Sequence, residues 1–146
     1  MPISDQIKRV NPDPDGLDFE SLRKEGITNV QNLCGDDDPE TAYWATWSAV
    51  LLGDRGAPLE RLQWTVTSGG KRSEHAMRVA LPAMGYDAGG QWLDKQPVSP
   101  ESIPMKIMGY GVFGDAGAVP WLIEQMADPA LAQIAGESYA MITGAD

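Results

Sequence analysis

Lys71, Arg72, His75 and Arg78 are the only basic cluster in the sequence, and side chains of these types could hold an anion or an acidic peptide. On a helix, positions 71, 75 and 78 would share one face. Glu74 within the cluster offers the plainer reading of an exposed face whose charges balance locally. His75 is the sole histidine, so zinc ligation by paired histidines or a histidine-centred triad has little to work with. Asp36-Asp37-Asp38 could be read as calcium ligands. However, neighbouring aspartates diverge, and acids placed just ahead of Pro39 suit the positive end of a helix. No metal is expected. Gly109-Tyr110-Gly111-Val112-Phe113-Gly114 satisfies Gly-x-Gly-x-x-Gly as a string, but that motif must follow a strand and open a helix, and here it closes a helical pattern. Phosphate-loop, Gly-x-Ser-x-Gly, His-Glu-x-x-His and Cys-x-x-Cys patterns are absent. A carboxylate pair such as Asp54 with Glu60 could be imagined as acid and base, but helix capping already accounts for both residues. The expectation is a noncatalytic chain that needs no cofactor.

Tryptophans supply a second kind of candidate. Val119, Leu122, Ile123 and Met126 stand at i, i+3, i+4 and i+7, which predicts one buried face and leaves Trp121, Glu124 and Gln125 on the other side. A tryptophan off the core stripe can anchor a partner; it can equally pack across an adjacent helix pair.

The elements that would position these residues are helices punctuated by glycine and aspartate. Gly53-Asp54-Arg55-Gly56-Ala57 and Gly114-Asp115-Ala116-Gly117-Ala118 are the same corner, and Gly85-Tyr86-Asp87-Ala88-Gly89-Gly90 is a version one residue longer. A glycine past a helix can turn left-handed and close it, and an aspartate one or two residues on can accept from the free N–H groups of the next. The helix-ending glycines Gly53, Gly85, Gly114 and Gly144 are spaced 32, 29 and 30 residues apart, a period that belongs to helical solenoids. Asn11-Pro12-Asp13-Pro14-Asp15-Gly16 is too rich in turn residues for a helix, so 1–16 is expected to be an irregular arm. Residues 17–35 are expected to cap the stack: a short helix from Leu17 ended by Gly26, then Ile27, Val30 and Leu33 at helical spacing. Tyr43, Trp47, Val50 and Leu51 predict the core stripe of the next helix, with Trp44 beside it against the cap. Ala76, Val79, Ala80 and Ala83 predict the inner face of a later one. Gly109 and Gly111 weaken their helix by about 1 kcal/mol each relative to alanine, so they should sit where a neighbour crosses closely.

Asp-Pro at a helix start, the Gly-Asp corner, Ala118-Val119-Pro120-Trp121-Leu122-Ile123 and the closing Ala127-Asp128-Pro129 resemble the short HEAT-type repeat of the phycobilin-lyase subclass, over roughly residues 37–146. The run 119–132, with Ala135-Gly136-Glu137 and Ile142-Thr143-Gly144-Ala145-Asp146, is similar to the ending of an uncharacterised bacterial HEAT-like family. The resemblance implies an all-α fold: an α-solenoid of about three and a half stacked antiparallel hairpins with an N-terminal cap. Domain 17–146 would then divide into hairpins at 37–67, 71–95 and 100–126 and a terminal half repeat at 129–143. In such stacks the second helices line the concave surface, so Arg61, Trp64, Gln91, Trp92, Trp121, Glu124 and Gln125 would share a recognition face for a protein partner. The alternative function is a lyase-like or chromophore-handling protein, which would require His75, Arg61, Asp87 and Glu124 to converge in a polar concave pocket. Members of this kind are typically longer. Leu131, Ile134, Ala135, Ser138, Met141 and Ile142 form a terminal pattern whose outer side needs a cover, so the expectation is either a continuation beyond 146 or a homodimer through 129–143.

Composition bounds the rest. The chain has 146 residues and a formal net charge of −10, which argues against nucleic acid as a partner because phosphate would be repelled from most faces. Beyond Lys106 every charged residue is acidic, which a solvated surface explains. A single cysteine, Cys34, excludes an intrachain disulfide and is expected to be a small buried residue. With neither a secretory leader pattern nor a long apolar run, the expected setting is the cytoplasm, away from the membrane.

Overall fold

A computed structural model describes residues 19–145; the expected arm 1–16, Leu17 and Asp146 lie outside the described residues. Eight α-helices and one 3-10 turn, with no strand, make up the described chain: α1 (Phe19–Gln31), α2 (Pro39–Leu51), α3 (Ala57–Ser68), α4 (Ser73–Met84), α5 (Tyr86–Asp94), α6 (Ile103–Phe113), the turn Ala116–Ala118, α7 (Val119–Gln125) and α8 (Ala132–Thr143). The fold is all-α. The even helices pack one on the next, α2 on α4, α4 on α6 and α6 on α8, while α1, α3, α5 and α7 make their main contacts with members of that file.

The corners use the devices their residues allow. Gly53 (φ 104°) and Gly114 (φ 76°) take positive φ, where a side chain would be strained. Oδ1 of Asp54 accepts from Gly56 N at 2.9 Å, and Oδ1 of Asp115 accepts from Gly117 N at 2.8 Å. Asp128 repeats the contact with Ala130 N at 2.9 Å. These aspartates order the turn, and none caps a following α-helix directly. Asp38 does cap one. Its Oδ2 accepts from Thr41 N at 3.0 Å and from the Thr41 hydroxyl at 2.7 Å, with Pro39 opening α2.

Two glycine expectations are corrected. Gly26 does not end a helix, because α1 runs through it. One internal glycine costs only about 1 kcal/mol, and continuity brings Val30 onto the buried Cys34, Ala45 and Ala49. The six-residue corner at 85–90 reduces to Gly85 alone (φ 81°), and α5 starts at Tyr86 without help from the Asp87 side chain. Gly89 serves a close approach instead. A β-carbon there would stand 2.8 Å from Phe113 and 3.1 Å from the Leu81 carbonyl.

The core follows packing rather than a single stripe per helix. α2 lies between α1 on one side and α3 and α4 on the other, so Ala45, Thr46 and Ala49 are buried along with Tyr43 and Val50. Leu51, expected inside, is 57% exposed. α4 packs on α2, α3, α5 and α6, and Met77 and Leu81 are fully buried beside Ala76 and Ala80, whereas Val79 and Ala83 are only partly covered. Gly109 and Gly111 do sit at close crossings, against Leu93 and Ser138. In α7 the predicted face is rotated: Leu122 is buried, Ile123 is 53% exposed, and Trp121 turns inward onto Tyr110. α7 has only seven residues and enters through a 3-10 turn, so the larger indole takes the covered position.

Candidate functional site: the Trp64 groove

α3 buries Leu59, Leu62 and Val66, which leaves Arg61, Trp64, Thr65 and Ser68 on the flank beside α2. Between them runs an open groove of about 420 Å³, lined by Cys34, Ala42, Tyr43, Thr46, Arg61 and Trp64 together with Thr65 and Arg72. Trp64, Thr65 and Arg72 also line a neighbouring depression of about 430 Å³ that continues past Ser68 and Gly69 to Glu40 and Lys71. The Trp64 indole, 71% exposed, stands where the two meet.

The rim is basic and partly preorganised. The Arg61 guanidinium donates to the Cys34 carbonyl, which ties α3 to the α1–α2 connection. Arg72 pairs with Glu40 and lies 4.4 Å over the centre of the Tyr43 ring. Burial of the Tyr43 phenol pushes its pKa up, so it stays neutral at physiological pH. Lys71 makes no ion pair among the described residues.

The expected basic cluster is therefore divided. Lys71 and Arg72 precede α4, which starts at Ser73, so 71 is not on a helical face with 75 and 78. Arg78 turns to Glu74 at 2.7 Å. His75 enters an aromatic group: its ring stacks on Trp47 with centroids 5.2 Å apart, meets Trp44 edge-on at 5.2 Å, and its Nδ1 shares a 2.9 Å hydrogen bond with the Tyr43 hydroxyl. Trp44 leans on Trp47 and His75.

The expected recognition face divides as well. Arg61 and Trp64 share the groove. Trp92 belongs to a different one of about 420 Å³ between α3 and α5, with Arg55, Leu59, Gln63, Ala83, Met84 and Ala88. Trp121 is half-buried against Tyr110, ring centroids 5.5 Å apart, and Gln91, Glu124 and Gln125 line none of these grooves. His75, Arg61, Asp87 and Glu124 lie on four different helices, α4, α3, α5 and α7, and none of these three grooves gathers them. At the terminal helix, Leu131 just before it and Ile134 and Ile142 on it turn toward Ile107 and Leu122, so the outer apolar side reduces chiefly to Met141. Among the described residues no group of three or more His, Cys, Asp or Glu side chains is placed to hold a metal, and no helix is long and apolar enough to cross a membrane.

The sequence reading missed Tyr43, Thr46 and Arg72 as walls of the Trp64 groove. Arg72 was visible as a cation, but only the packing of α4 on α2 brings it to Tyr43. No known protein family, curated protein or solved structure matches the chain.

Proposed function

We propose that the chain is a noncatalytic, cytoplasmic protein-binding module built as a HEAT-like stack of helical hairpins, and that it docks its partner at the Trp64 groove. The observation that carries the reading is the Trp64 indole, 71% exposed at the junction of two grooves and flanked by Arg61 and Arg72. Tryptophan and arginine are the side chains that most often dominate binding energy, and an exposed indole beside an apolar floor gains most when a partner covers it. The stacked reading draws support from the file of even helices and from the Asp-Gly turns that recur between helices. The recognition face is narrower than the whole row of second helices, since Trp92 and Trp121 are engaged elsewhere. The lyase-like alternative would need a pocket where titratable groups converge, and no specific observation favours it.

Quantitative pull-down from the source cell tests the reading, comparing the wild type with Trp64→Ala and with Ile123→Ala, an exposed apolar residue remote from the groove. Losing a docking tryptophan costs about 2 kcal/mol or more, roughly 30-fold in affinity. The expected result is depletion of specific partners by Trp64→Ala alone. Undiminished recovery by Trp64→Ala sinks the proposal.

A further inference from the structure

We infer that the segment docking at the Trp64 groove is an acidic peptide carrying at least one large apolar side chain. The inference rests on the proposed function and names the chemistry of the partner. Across the whole chain, 21 Asp and Glu outnumber 11 Lys and Arg. The groove and its continuation invert that balance, with Arg61, Lys71 and Arg72 against Glu40 alone. Of two further hollows of comparable size, the one between α3 and α5 carries a single cation, Arg55, and the one of about 400 Å³ between α3, α4 and α6 holds Glu74 and Glu101 and no cation.

The cations are also placed to act. Lys71 is exposed and unpaired among the described residues, and Arg61 meets only a neutral carbonyl, so both can pair with an arriving carboxylate. Arg72 is held over Tyr43 and already paired with Glu40, so it fixes the guanidinium rim while Arg61 and Lys71 carry the unpaired charge. Between the charges the surface is apolar: Ala42, the Tyr43 ring, the Thr46 methyl and the face of Trp64. A leucine or aromatic side chain fits that floor while flanking carboxylates reach the rim. The acidic remainder of the protein disfavours such a peptide at long range. Screening confines that repulsion to about 8 Å at physiological ionic strength, whereas the groove cations act in contact. A basic peptide would instead meet Arg61, Lys71 and Arg72 as like charges in the groove, whatever its attraction to the surface elsewhere.

The experiment uses fluorescein-labelled dodecapeptides. The first has a central Leu-Trp flanked by Glu and Asp, the second keeps the acids but replaces the centre with Gly-Ser, and the third keeps Leu-Trp but replaces the acids with Lys. A dodecauridine strand is the fourth probe. Affinity is read by fluorescence anisotropy, and the place of binding by the Trp64 indole resonance, assigned with Trp64→Ala. The first peptide is expected to bind at least about tenfold more tightly than the others and to shift that resonance. Lys71→Glu, at an exposed residue with no partner to lose, should weaken it several-fold, and Arg61→Glu with Lys71→Glu should reverse the preference toward the basic peptide. Trp64-dependent binding that favours the basic peptide or the RNA would overturn the acidic partner and leave the docking site standing. If no probe moves the Trp64 resonance and Trp64→Ala leaves partner recovery unchanged, both readings fall. If no probe moves it but Trp64→Ala does deplete partners, only the acidic chemistry is overturned.

Discussion

Gly111 of α6 lies directly against the backbone of Ser138 in α8: a β-carbon at Gly111 would come within 2.8 Å of the Ser138 Cα. The opposing atom is main chain, so it cannot swing aside. Gly111→Ala gains about 1 kcal/mol in helix propensity, but separating two packed helices costs about 1–3 kcal/mol. Net destabilisation is expected. Gly136 is helical too, yet a β-carbon there meets nothing within 4 Å, so Gly136→Ala should stabilise by about 0.5–1 kcal/mol. Urea unfolding of both variants checks the opposite signs.

A second relationship ties α5 to α6. Tyr110, buried on α6, donates its hydroxyl proton to Asp94 Oδ1 at 2.6 Å. Burial, the hydrogen bond to Asp94 and the charge of that carboxylate together push the phenol pKa up, well above its ordinary range. The folded protein thus keeps a proton that the unfolded chain releases near pH 10. Stability from this source is complete below about pH 10 and is lost as pH rises toward the folded-state value. Melting temperature should fall as pH rises above about 10 in the wild type and more shallowly in Tyr110→Phe. Parallel curves for the two proteins would contradict the assignment.

Asp38 sets the acid side. The Thr41 hydroxyl and backbone N–H, with Arg72 nearby, hold its carboxyl below the usual carboxylate range. Its contribution is therefore present above the unfolded pKa of about 3.9 and disappears as pH falls through the lower folded value. Asp38→Asn keeps an acceptor at the α2 N-terminus but removes the titrating charge. It should be less stable than wild type at pH 7 and lose less on acidification below pH 4. Circular dichroism melts across that range decide it.

Elements were legible in the sequence where one residue type has one physical use. Gly53 and Gly114 followed by Asp could only be corners, and Asp38-Pro39 could only open a helix. Gly26 and Gly89 were misleading, because glycine serves close approach or is tolerated within a helix as readily as it ends one. Leu51 and Ile123 were misplaced for a different reason: periodicity predicts a stripe, but a helix covered on two sides, or only seven residues long, has its burial set by neighbours that lie far off in sequence. In the site, Arg61 and Trp64 were expected together because the resemblance put second helices on one recognition face. Tyr43 and Arg72, 29 residues apart, could not, since their stacking exists only once α4 lies on α2.

Lys106 carries the last prediction. Its side chain is only 7% exposed, and its ammonium donates to the Asp94 carbonyl at 2.8 Å and the Gln96 carbonyl at 3.1 Å. The Asp94 carbonyl closes α5, where the helix leaves carbonyls unpaired and its dipole is negative, and the Gln96 carbonyl lies just past the Lys95 cap, so a cation is the appropriate cap. Hydrogen bonds to charged groups are worth about 1.5–3 kcal/mol, and unpaired carbonyls are penalised further. Lys106→Met keeps most of the buried stem volume while removing the ammonium. It should therefore destabilise by about 2–3 kcal/mol through the lost cap rather than through a cavity. Lys106→Arg retains the charge but brings a larger, planar donor into a tight site, so partial rescue is expected. Hydrogen exchange separates this mechanism from general loosening: amides of α5 should be accelerated more in Lys106→Met than those of α3, which Lys106 does not hold. Uniform acceleration along the chain would show that Lys106 supports the core as a whole instead of latching the end of one helix.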